Sequence, residues 1–405
     1  MASRPMSIPI TLFAMPKIAY LSGTTILGGG PEHLFQILKN LDGQRWTPLV
    51  CTWNDGPYWG RFQSLGIPLF PFTLRKLSPG TFVKLYHLLK HQRPDLIHTH
   101  GKGPGLYGRI IGRILGIPVI HTFHGFHYED IPAWKRWFHL GVEQILTRFT
   151  AQHIFVGPGE KKRARILSGL NEKNSTLIPN GIDTDSIQNL KVDKADLLGR
   201  VGLSPVADMK IVGTLSRLSP EKGIDLLVEG FSLAAARHPG IKLLIVGGSP
   251  PEHRSYFERV GAQTQNIGIK DRVVILGYRE DALQFLKCMD VFVLPSLSEG
   301  LPLTLLEALA SGIPAVASDI AGNRDAVGSS DCARLYSPRS PSEMAEAILE
   351  TLALDAESKT ARIQKGLKRI RDGFTAAQMV QSTFRLYEKT WASNKPRRLP
   401  PSSHR

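Results

Sequence analysis

Short apolar runs alternate along the chain with longer stretches in which apolar residues recur every three or four positions. Lys17–Ser22 is the first apolar run, Gly28–Gly30 follows as a predicted turn, and Glu32–Leu41 has the spacing of an amphipathic helix. Strands that are apolar at every position are buried on both faces, as in a parallel sheet covered by helices. The pattern therefore predicts an α/β fold in which strands and helices alternate.

The same pattern begins again in the second half of the chain. Between the two halves, the polar stretch Leu190–Asp208 contains glycines and a proline and has no strand pattern. The other predicted strands are Pro48–Cys51, Asp95–His98, Pro118–His121 and His153–Val156, then Lys210–Gly213, Lys242–Val246, Val273–Leu276, Val291–Leu294 and Ala315–Ala317. Because 405 residues also exceed what one core usually serves, we expect two domains with separate sheets.

These boundaries divide the chain into two domains with flanking segments. We predict an N-terminal tail at 1–15, a first domain at 16–195, a linker at 196–208, a second domain at 209–375, a C-terminal helix at 376–394 and a basic tail at 395–405.

Composition excludes several classes of protein. The three cysteines, Cys51, Cys288 and Cys332, are far apart, which argues against a disulfide framework or a zinc ribbon and favours a reducing cytoplasm. No apolar run approaches the roughly 18 to 20 residues that span a bilayer. The apolar stretch Ile8–Met15 is short and contains a proline, so we expect a tail and not a signal peptide.

The net charge of +15 is concentrated in the first half of the chain. Residues 1–195 contain 23 Lys and Arg against 12 Asp and Glu, whereas residues 196–405 contain 27 against 23. Such a field attracts nucleic acid, anionic lipid or a phosphate-bearing substrate, and the charge alone does not choose among them.

The segment Ser298–Pro314 follows the predicted strand that ends at Leu294. A strand, a glycine turn and a helix that begins near Pro302 would place unpaired backbone N–H groups where a diphosphate can bind. Glu299 lies in the turn and Glu307 in the helix, so both carboxylates could accept hydrogen bonds from the hydroxyls of one ligand. The alternative is that they are a solvated turn residue and a solvated helix residue.

A second segment, Gly213–Gly223, leaves the first strand of the second domain. It brings Arg217 and Lys222 to the carboxyl edge of that sheet, where paired cations could bind a diphosphate leaving group. The alternative is a basic surface loop.

The chain resembles, over nearly its whole length, the family 4 retaining glycosyltransferases of the GT-B fold. The motifs that carry the resemblance occur in order: Gly29-Gly30, His121–Gly125, Pro179–Asp183, Arg217 with Lys222, and Glu299 with Glu307. Where many members have Glu-Gly-Phe-Gly, this chain has Glu299–Pro302 with a leucine and a proline, a variant associated with bacterial surface-polysaccharide and exopolysaccharide enzymes.

The resemblance implies two Rossmann-like domains that face each other across a cleft, with a C-terminal helix that crosses back to the first domain. The second domain would hold a nucleotide sugar and the first an acceptor. Arg217 and Lys222 would bind the diphosphate, Glu299 the hydroxyls of the sugar and Glu307 the ribose. His124 would lie beside the donor sugar, so the implied catalytic residues are His124, Glu299, Arg217 and Lys222.

The resemblance also implies further donor contacts and no cofactor. Glycine at 29 and 30 would let the first domain approach the phosphates, and the turn Gly277–Glu280 resembles the loop that reads the base, with UDP favoured over GDP. The remaining implied donor-binding residues are Gly29, Gly30, Gly247, Tyr278, Arg279, Gly300 and Leu303. The resemblance also implies retention of the anomeric configuration, by the family's same-face attack in which the departing phosphate oxygen takes the proton of the acceptor.

Histidines in the first domain suggest a metal site as an alternative. They occur as His98 and His100 and again between His121 and His127, but the spacing fits no closed four-ligand site. The resembling family needs no divalent ion, so we expect none.

Two basic segments bear on the acceptor. Ile131–Leu140 and Lys161–Arg165 place cations and large aromatics on predicted helices, a composition that suits the headgroup region of an anionic membrane. The alternative is that Trp134, Trp137 and Phe138 belong to a core. We expect a glycan or a polyprenyl-diphosphate-linked acceptor, no nucleic acid, and a cytoplasmic protein that is peripheral on the inner face of the membrane.

The sequence thus predicts a retaining hexosyltransferase of cell-surface polysaccharide or glycolipid biosynthesis. Two other classes stay open. A GT-B-like sugar-nucleotide epimerase or phosphorylase would require extra catalytic carboxylates and histidines or a cofactor lysine. A non-catalytic binder of nucleotides or anionic polymers would tolerate loss of the glutamate pair and bind polynucleotide in a salt-dependent manner.

Overall fold

The computed structural model describes residues 15–41, 45–126, 132–203, 208–249 and 253–394. Most of the predicted N-terminal tail, part of the predicted linker and the whole basic tail lie outside the described residues, as do His127 and Ile131.

The first domain contains a seven-stranded parallel sheet in the order β3-β2-β1-β4-β5-β6-β7. Its strands are β1 (Lys17–Ser22), β2 (Thr47–Thr52), β3 (Leu69–Pro71), β4 (Leu96–His100), β5 (Val119–Thr122), β6 (Gln152–Phe155) and β7 (Ser175–Leu177). Its helices are α1 (Gly29–Lys39), α2 (Tyr58–Gln63), α3 (Pro79–Gln92), α4 (Lys102–Leu115), α5 (Ala133–Thr147), α6 (Pro158–Ala164) and α7 (Thr184–Asn189).

The second domain contains a six-stranded parallel sheet in the order β10-β9-β8-β11-β12-β13. Its strands are β8 (Lys210–Leu215), β9 (Ile241–Val246), β10 (Val273–Ile275), β11 (Val291–Leu294), β12 (Ala315–Ser318) and β13 (Ala333–Tyr336). The remaining helices are α8 (Lys194–Gly199), α9 (Ile224–Arg237), α10 (Arg254–Asn266), α11 (Ala282–Lys287), α12 (Leu303–Ala310), α13 (Ala321–Val327), α14 (Pro341–Leu352), α15 (Ala356–Gly373) and α16 (Ala376–Asn394).

The central strands are buried at every position, as their apolar composition requires. All residues of β4 and β11 are buried, and helices cover both faces of each sheet. A buried parallel ladder satisfies its backbone groups within the sheet, so the polar side chains at the strand ends remain available for a ligand. The predicted α/β fold with two parallel sheets is confirmed.

The last helix belongs to the core of the first domain although it follows the second in sequence. Met379 and Tyr387 of α16 pack with Ile18 and Trp46, and the Tyr387 hydroxyl lies 2.6 Å from Nδ1 of His98. An isolated backbone bridge joins Ile182 to the residue just before α16. The C-terminal helix therefore crosses back, as predicted.

Three differences from the sequence analysis concern short or irregular elements. The edge strands β3, β7 and β13 have only three or four residues and are partly exposed, and prolines interrupt the apolar run around β3. The prediction of a turn at Gly28–Gly30 is wrong for its last two residues, which begin α1 after the extended backbone of Gly28. The helix α8 occupies part of the polar stretch before the second domain.

Within the described part of the chain, none of the helices combines the length and the apolarity needed to cross a bilayer.

Candidate active site

Two loops of the second domain meet at the carboxyl edge of its sheet. The backbone N–H of Leu297 donates to the carbonyl of Glu221 at 2.8 Å, which joins the loop after β11 to the loop after β8. As a result, Nζ of Lys222 lies 2.6 Å from Oε1 of Glu299, and the Ser296 hydroxyl donates to the same oxygen at 2.7 Å. The structure brings together the cation predicted to bind phosphate and the carboxylate predicted to bind the sugar.

This ion pair is largely shielded from solvent, whereas the neighbouring Arg217 is not. The side chains of Lys222 and Glu299 are 16% and 12% exposed, but that of Arg217 is 46% exposed. The Arg217 guanidinium lies 3.6 Å from the nearest oxygen of Glu221, which is too far for a hydrogen bond. Arg217 can therefore turn toward an anion at little cost, while Lys222 is already positioned.

Glu307 projects from the second turn of α12 and is partly buried. No side-chain hydrogen bond or ion pair engages it among the residues that the structure describes. Burial, and then the charge of Glu32 across the cleft, raise the pKa of Glu307 to about 8. A shielded carboxyl group without a partner can exchange hydrogen bonds with neutral hydroxyls of a ligand in either protonation state.

The ends of β9 and β10 form the side of the site predicted to read the base. Gly247 has a φ of +148°, and a Cβ atom there would lie 1.8 Å from the carbonyl oxygen of Ser216, so only glycine fits. Its N–H donates to the carbonyl of Gly277 at 2.8 Å, which places the exposed Tyr278 beside Gly248. Unlike Tyr278, Arg279 contacts residues of its own loop.

Arg279 is held by its own loop. Its Nε and Nη2 atoms donate to the two oxygens of Asp281 at 2.8 and 2.7 Å, and the guanidinium lies over the ring of Phe285. Nε and Nη2 of Arg279 are thus engaged by Asp281.

The glycine start of α1 faces these groups from the first domain. A Cβ atom at Gly29 would lie 3.6 Å from Cδ1 of Leu303, and one at Gly30 would lie 3.9 Å from Cδ2 of His124. A side chain at either position would therefore pack against α12 or against the predicted catalytic histidine. The absence of side chains there leaves the helix N-terminus open to an anion.

His124 adopts a left-handed backbone conformation with a φ of +54°, which is uncommon for a non-glycine residue. Its Nε2 atom lies 3.1 Å from Nδ1 of His100. Burial, and then the neighbouring His33 and His98, hold the pKa of His124 well below its ordinary value. The ring is therefore neutral at pH 7 and offers both a donor and an acceptor.

The turn at Glu299 and Gly300 touches the first domain directly. A Cβ atom at Gly300 would lie 3.4 Å from the backbone nitrogen of Gly125. Nδ2 of Asn180 donates to the carbonyl of Leu301 at 3.0 Å. The predicted donor residues of the second domain thus meet the loop that holds His124.

Glu160 and His33 also shape this site, although no motif in the sequence predicted them. Glu160 is buried, accepts hydrogen bonds from the N–H groups of Gly125 and Val156, and has its pKa raised to about 7 chiefly by burial. His33 packs edge-on against His124 from α1. His33 lies three residues after Gly30, which could have marked it, but its helical position beside an apolar residue is typical of a core side chain.

The aromatic residues of α5 lie outside any core. Trp134, Trp137 and Phe138 are 70%, 70% and 67% exposed, so the alternative that they belong to a core is wrong. Lys135 and Arg136 are exposed on the same two turns. We call this region, Trp134 to Phe138, the aromatic end of α5.

Two family models match the chain in the order of its domains. The model described as Glycosyltransferase Family 4 matches residues 27–186, and that described as Glycosyl transferases group 1 matches residues 202–369. The sites described above lie within these two segments.

Curated relatives share a substantial part of the sequence. A UDP-Gal:alpha-D-GlcNAc-diphosphoundecaprenol alpha-1,3-galactosyltransferase from Escherichia coli is 30% identical over 76% of this chain and 80% of its own length. An alpha-monoglucosyldiacylglycerol synthase from Streptococcus pneumoniae is 30% identical over 64% of this chain and 59% of its own length. The capsular polysaccharide biosynthesis glycosyltransferase CapM from Staphylococcus aureus is 25% identical over 73% of this chain and 77% of its own length.

Solved structures of glycosyltransferases share the fold. Anabaena HepE in complex with UDP and glucose superposes with a TM-score of 0.81 over 92% of this chain and 99% of that one, at 23% identity. The family models and the Escherichia coli relative, covered over four fifths of its length, agree with the motifs and with the two facing sheets. The chain therefore belongs to the family 4 glycosyltransferases.

Proposed function

We propose that this glycosyltransferase moves a hexose from a nucleoside-diphosphate sugar, a UDP-sugar in preference to a GDP-sugar, to a glycan or polyprenyl-diphosphate-linked acceptor. The anomeric configuration is retained, and the product serves cell-surface polysaccharide or glycolipid biosynthesis. One observation carries the proposal: the turn that holds the Lys222–Glu299 pair and the helix of the unpartnered Glu307 adjoin the loop of His124 and the glycine start of α1.

The donor contacts follow from the charges at each position. Lys222 and Arg217 neutralise the diphosphate, and the N–H groups at the start of α1 add positive partial charge to it. Glu307 accepts hydrogen bonds from the ribose, and Glu299 from hydroxyls of the sugar. The turn from Gly277 presents Tyr278 to the base.

The reaction breaks the bond between the anomeric carbon and the phosphate oxygen and forms one from the acceptor oxygen on the same face. The departing phosphate oxygen takes the acceptor proton, so atoms and charge balance without a base from the protein. Lys222 and Ser296 occupy one oxygen of Glu299, which suits a hydroxyl-binding role better than that of a nucleophile. No step in this sequence uses a cofactor or a metal ion.

Two relatives support a lipid-linked acceptor and a UDP donor. The Escherichia coli relative is named for UDP-galactose and a diphosphoundecaprenol acceptor, and the Streptococcus pneumoniae relative for a glycolipid product. The HepE structure contains UDP and glucose. These are properties of those proteins, and the shared motifs extend them to this chain as a proposal.

The aromatic end of α5 suits binding to an anionic membrane. Indole and phenyl rings partition into the headgroup region, and each nearby cation adds about 1 kcal/mol at an anionic surface. The excess of positive charge in residues 1–195 acts in the same direction. The enzyme is then peripheral on the inner face of the cytoplasmic membrane, and its three unpaired cysteines suit that reducing compartment.

A transfer assay tests the reaction. The full chain is incubated with UDP-galactose, UDP-glucose, UDP-N-acetylglucosamine and the matching GDP-sugars, with chelator, and with a sugar-diphosphoundecaprenol or the same sugar without lipid. We expect one UDP-sugar to be consumed with the lipid-linked acceptor, to give a product with the anomeric configuration of the donor. Inversion would contradict the mechanism, and absence of transfer from any sugar nucleotide would favour the non-catalytic binder.

Vesicle sedimentation tests the membrane surface separately. We expect the protein to bind vesicles that contain anionic lipid, and the triple change of Trp134, Trp137 and Phe138 to alanine to weaken binding at least tenfold. Phe257→Ala, at an exposed aromatic of the second domain, is the matched control and should bind normally. Equal binding by all variants would contradict the assignment.

A further inference from the structure

Three histidines from separate elements meet at the floor of the cleft. His33 comes from α1, His100 ends β4 and His124 follows β5. One nitrogen of each ring lies within 4.8 Å of the other two, and the ring centres are 4.8 to 5.6 Å apart. His100 and His124 belong to the histidine motifs that suggested a metal site in the sequence, and His33 does not.

Hydrogen bonding fixes the tautomer of His33. Nδ2 of Asn180 donates to the carbonyl of Leu301 at 3.0 Å, so the amide oxygen of Asn180 faces Nδ1 of His33, also at 3.0 Å. Nδ1 of His33 must carry the proton of that contact, and Nε2 therefore holds a lone pair. His33 is 1% exposed, and Nε2 has no hydrogen-bond partner among the described residues.

A second buried ring nitrogen belongs to His100. Nε2 of His100 is buried and, within the described ranges, has no partner, while its Nδ1 lies 3.1 Å from Nε2 of His124. Leaving a buried polar atom unsatisfied costs about 1 to 3 kcal/mol. The lone pair on Nε2 of His33, with nitrogens of His100 and His124 within 4.8 Å of it, indicates a small buried occupant that accepts it.

The spacing and the donor set select the class of ion. Since the three nitrogens are at most 4.8 Å apart, a point exists within about 2.8 Å of all of them (4.8 Å divided by √3). A zinc–nitrogen bond is about 2.0 to 2.1 Å, so each ring would move inward by less than about 1 Å. Imidazole favours Zn²⁺, Co²⁺, Ni²⁺ and Cu²⁺ over Mg²⁺ and Ca²⁺, and the Asn180 contact resembles the outer hydrogen bonds that orient metal-bound histidines.

We propose that His33, His100 and His124 form a site for one divalent transition-metal ion of the zinc type, with the fourth position open to water. The bound ion ties α1 to the ends of β4 and β5 and fixes the His124 ring. The site does not depend on the proposed transferase function, in which no step uses an ion.

Cobalt provides a direct readout on the full chain. Chelator-treated protein is titrated with Co²⁺, and we expect one equivalent to give the intense visible absorption of tetrahedral cobalt, which Zn²⁺ then abolishes. Zn²⁺ should raise the melting temperature and Mg²⁺ should not. His33→Ala should lose both effects. His87→Ala, at an exposed histidine of α3, should retain them.

Folding is checked separately, by far-ultraviolet circular dichroism and by the cooperativity of urea unfolding. If His33→Ala does not fold, His100→Asn takes its place. No cobalt band in the wild-type chain, or an equal band in the folded His33→Ala or His100→Asn variant, would overturn the site and assign a water molecule to the buried nitrogens. Such a result would leave UDP-induced stabilisation, and with it the transferase proposal, intact.

Discussion

Glu307 should lower the stability of the unliganded chain at high pH, although it contributes to ligand binding. The pKa of this carboxyl is raised from 4.5 to about 8 by burial and by Glu32. The folded chain therefore holds a proton that the unfolded chain has released throughout this window. Stability must fall as pH rises through the window, and Glu307→Gln, which cannot ionise, should not show that fall.

The size of this stability effect follows from the difference between the pKa values of Glu307 in the unfolded and folded chain. Each pH unit corresponds to about 1.4 kcal/mol, so the 3.5 units between 4.5 and about 8 set an upper limit of about 5 kcal/mol. Since Glu307 is only partly buried, solvent screens part of this penalty. We expect Glu307→Gln to stabilise the unliganded chain by about 1 to 3 kcal/mol at pH 8.5 and by less than about 0.5 kcal/mol at pH 5.

The same substitution should damage ligand binding. At pH 8.5, where the Glu307 carboxyl is mostly ionised, a hydrogen bond to this charged acceptor contributes about 1.5 to 3 kcal/mol, so the affinity for UDP should fall roughly 10- to 150-fold. Urea unfolding at both pH values and UDP titration measure the two effects, with Glu258→Gln on the exposed face of α10 as the control. Equal gains at pH 5 and pH 8.5, or unchanged UDP affinity, would refute this account of Glu307.

Further predictions concern single residues. Lys222→Ala should weaken binding of UDP at least tenfold in calorimetry but leave uridine binding unchanged, since the cation meets the diphosphate; equal losses would contradict this. Gly247→Ala should destabilise the chain by several kcal/mol because its Cβ would lie 1.8 Å from a backbone oxygen, whereas Gly261→Ala, in a helix with nothing within 4 Å, should stabilise it by about 0.5 to 1 kcal/mol. Arg109→Ala should cost about 3 to 5 kcal/mol in urea unfolding, because it leaves the buried Glu143 without its two hydrogen bonds, and a loss below 1 kcal/mol would argue against the pair.

The sheets could be predicted because burial on both faces leaves an apolar run at each central strand. Each predicted strand overlaps an observed one. The three-residue strand β7 lies at an edge and is half exposed, so its short sequence has no such run. The glycines at 29 and 30 mark a close approach of backbone, but composition does not distinguish a turn from the first turn of a helix.

The sequence predicts where the site residues lie in the fold, but not which of them contact each other. The motifs place Lys222 and Glu299 at one sheet edge, but their pairing depends on a backbone hydrogen bond between two loops that are 76 residues apart in sequence. His33 was missed because a histidine beside leucine on a helix is usually packed in a core. Whether the aromatic residues of α5 face a core or solvent depends on what covers the helix, which its own sequence does not specify.

Calorimetric titration of UDP and GDP in the presence of chelator tests the central claim most directly, because it requires neither the sugar nor the acceptor. The account predicts that UDP binds to the wild-type chain, more tightly than GDP, and that Glu307→Ala and Lys222→Ala each reduce the affinity at least tenfold. If neither nucleotide binds, or if binding is the same in both variants, the cleft between the domains is not the donor site.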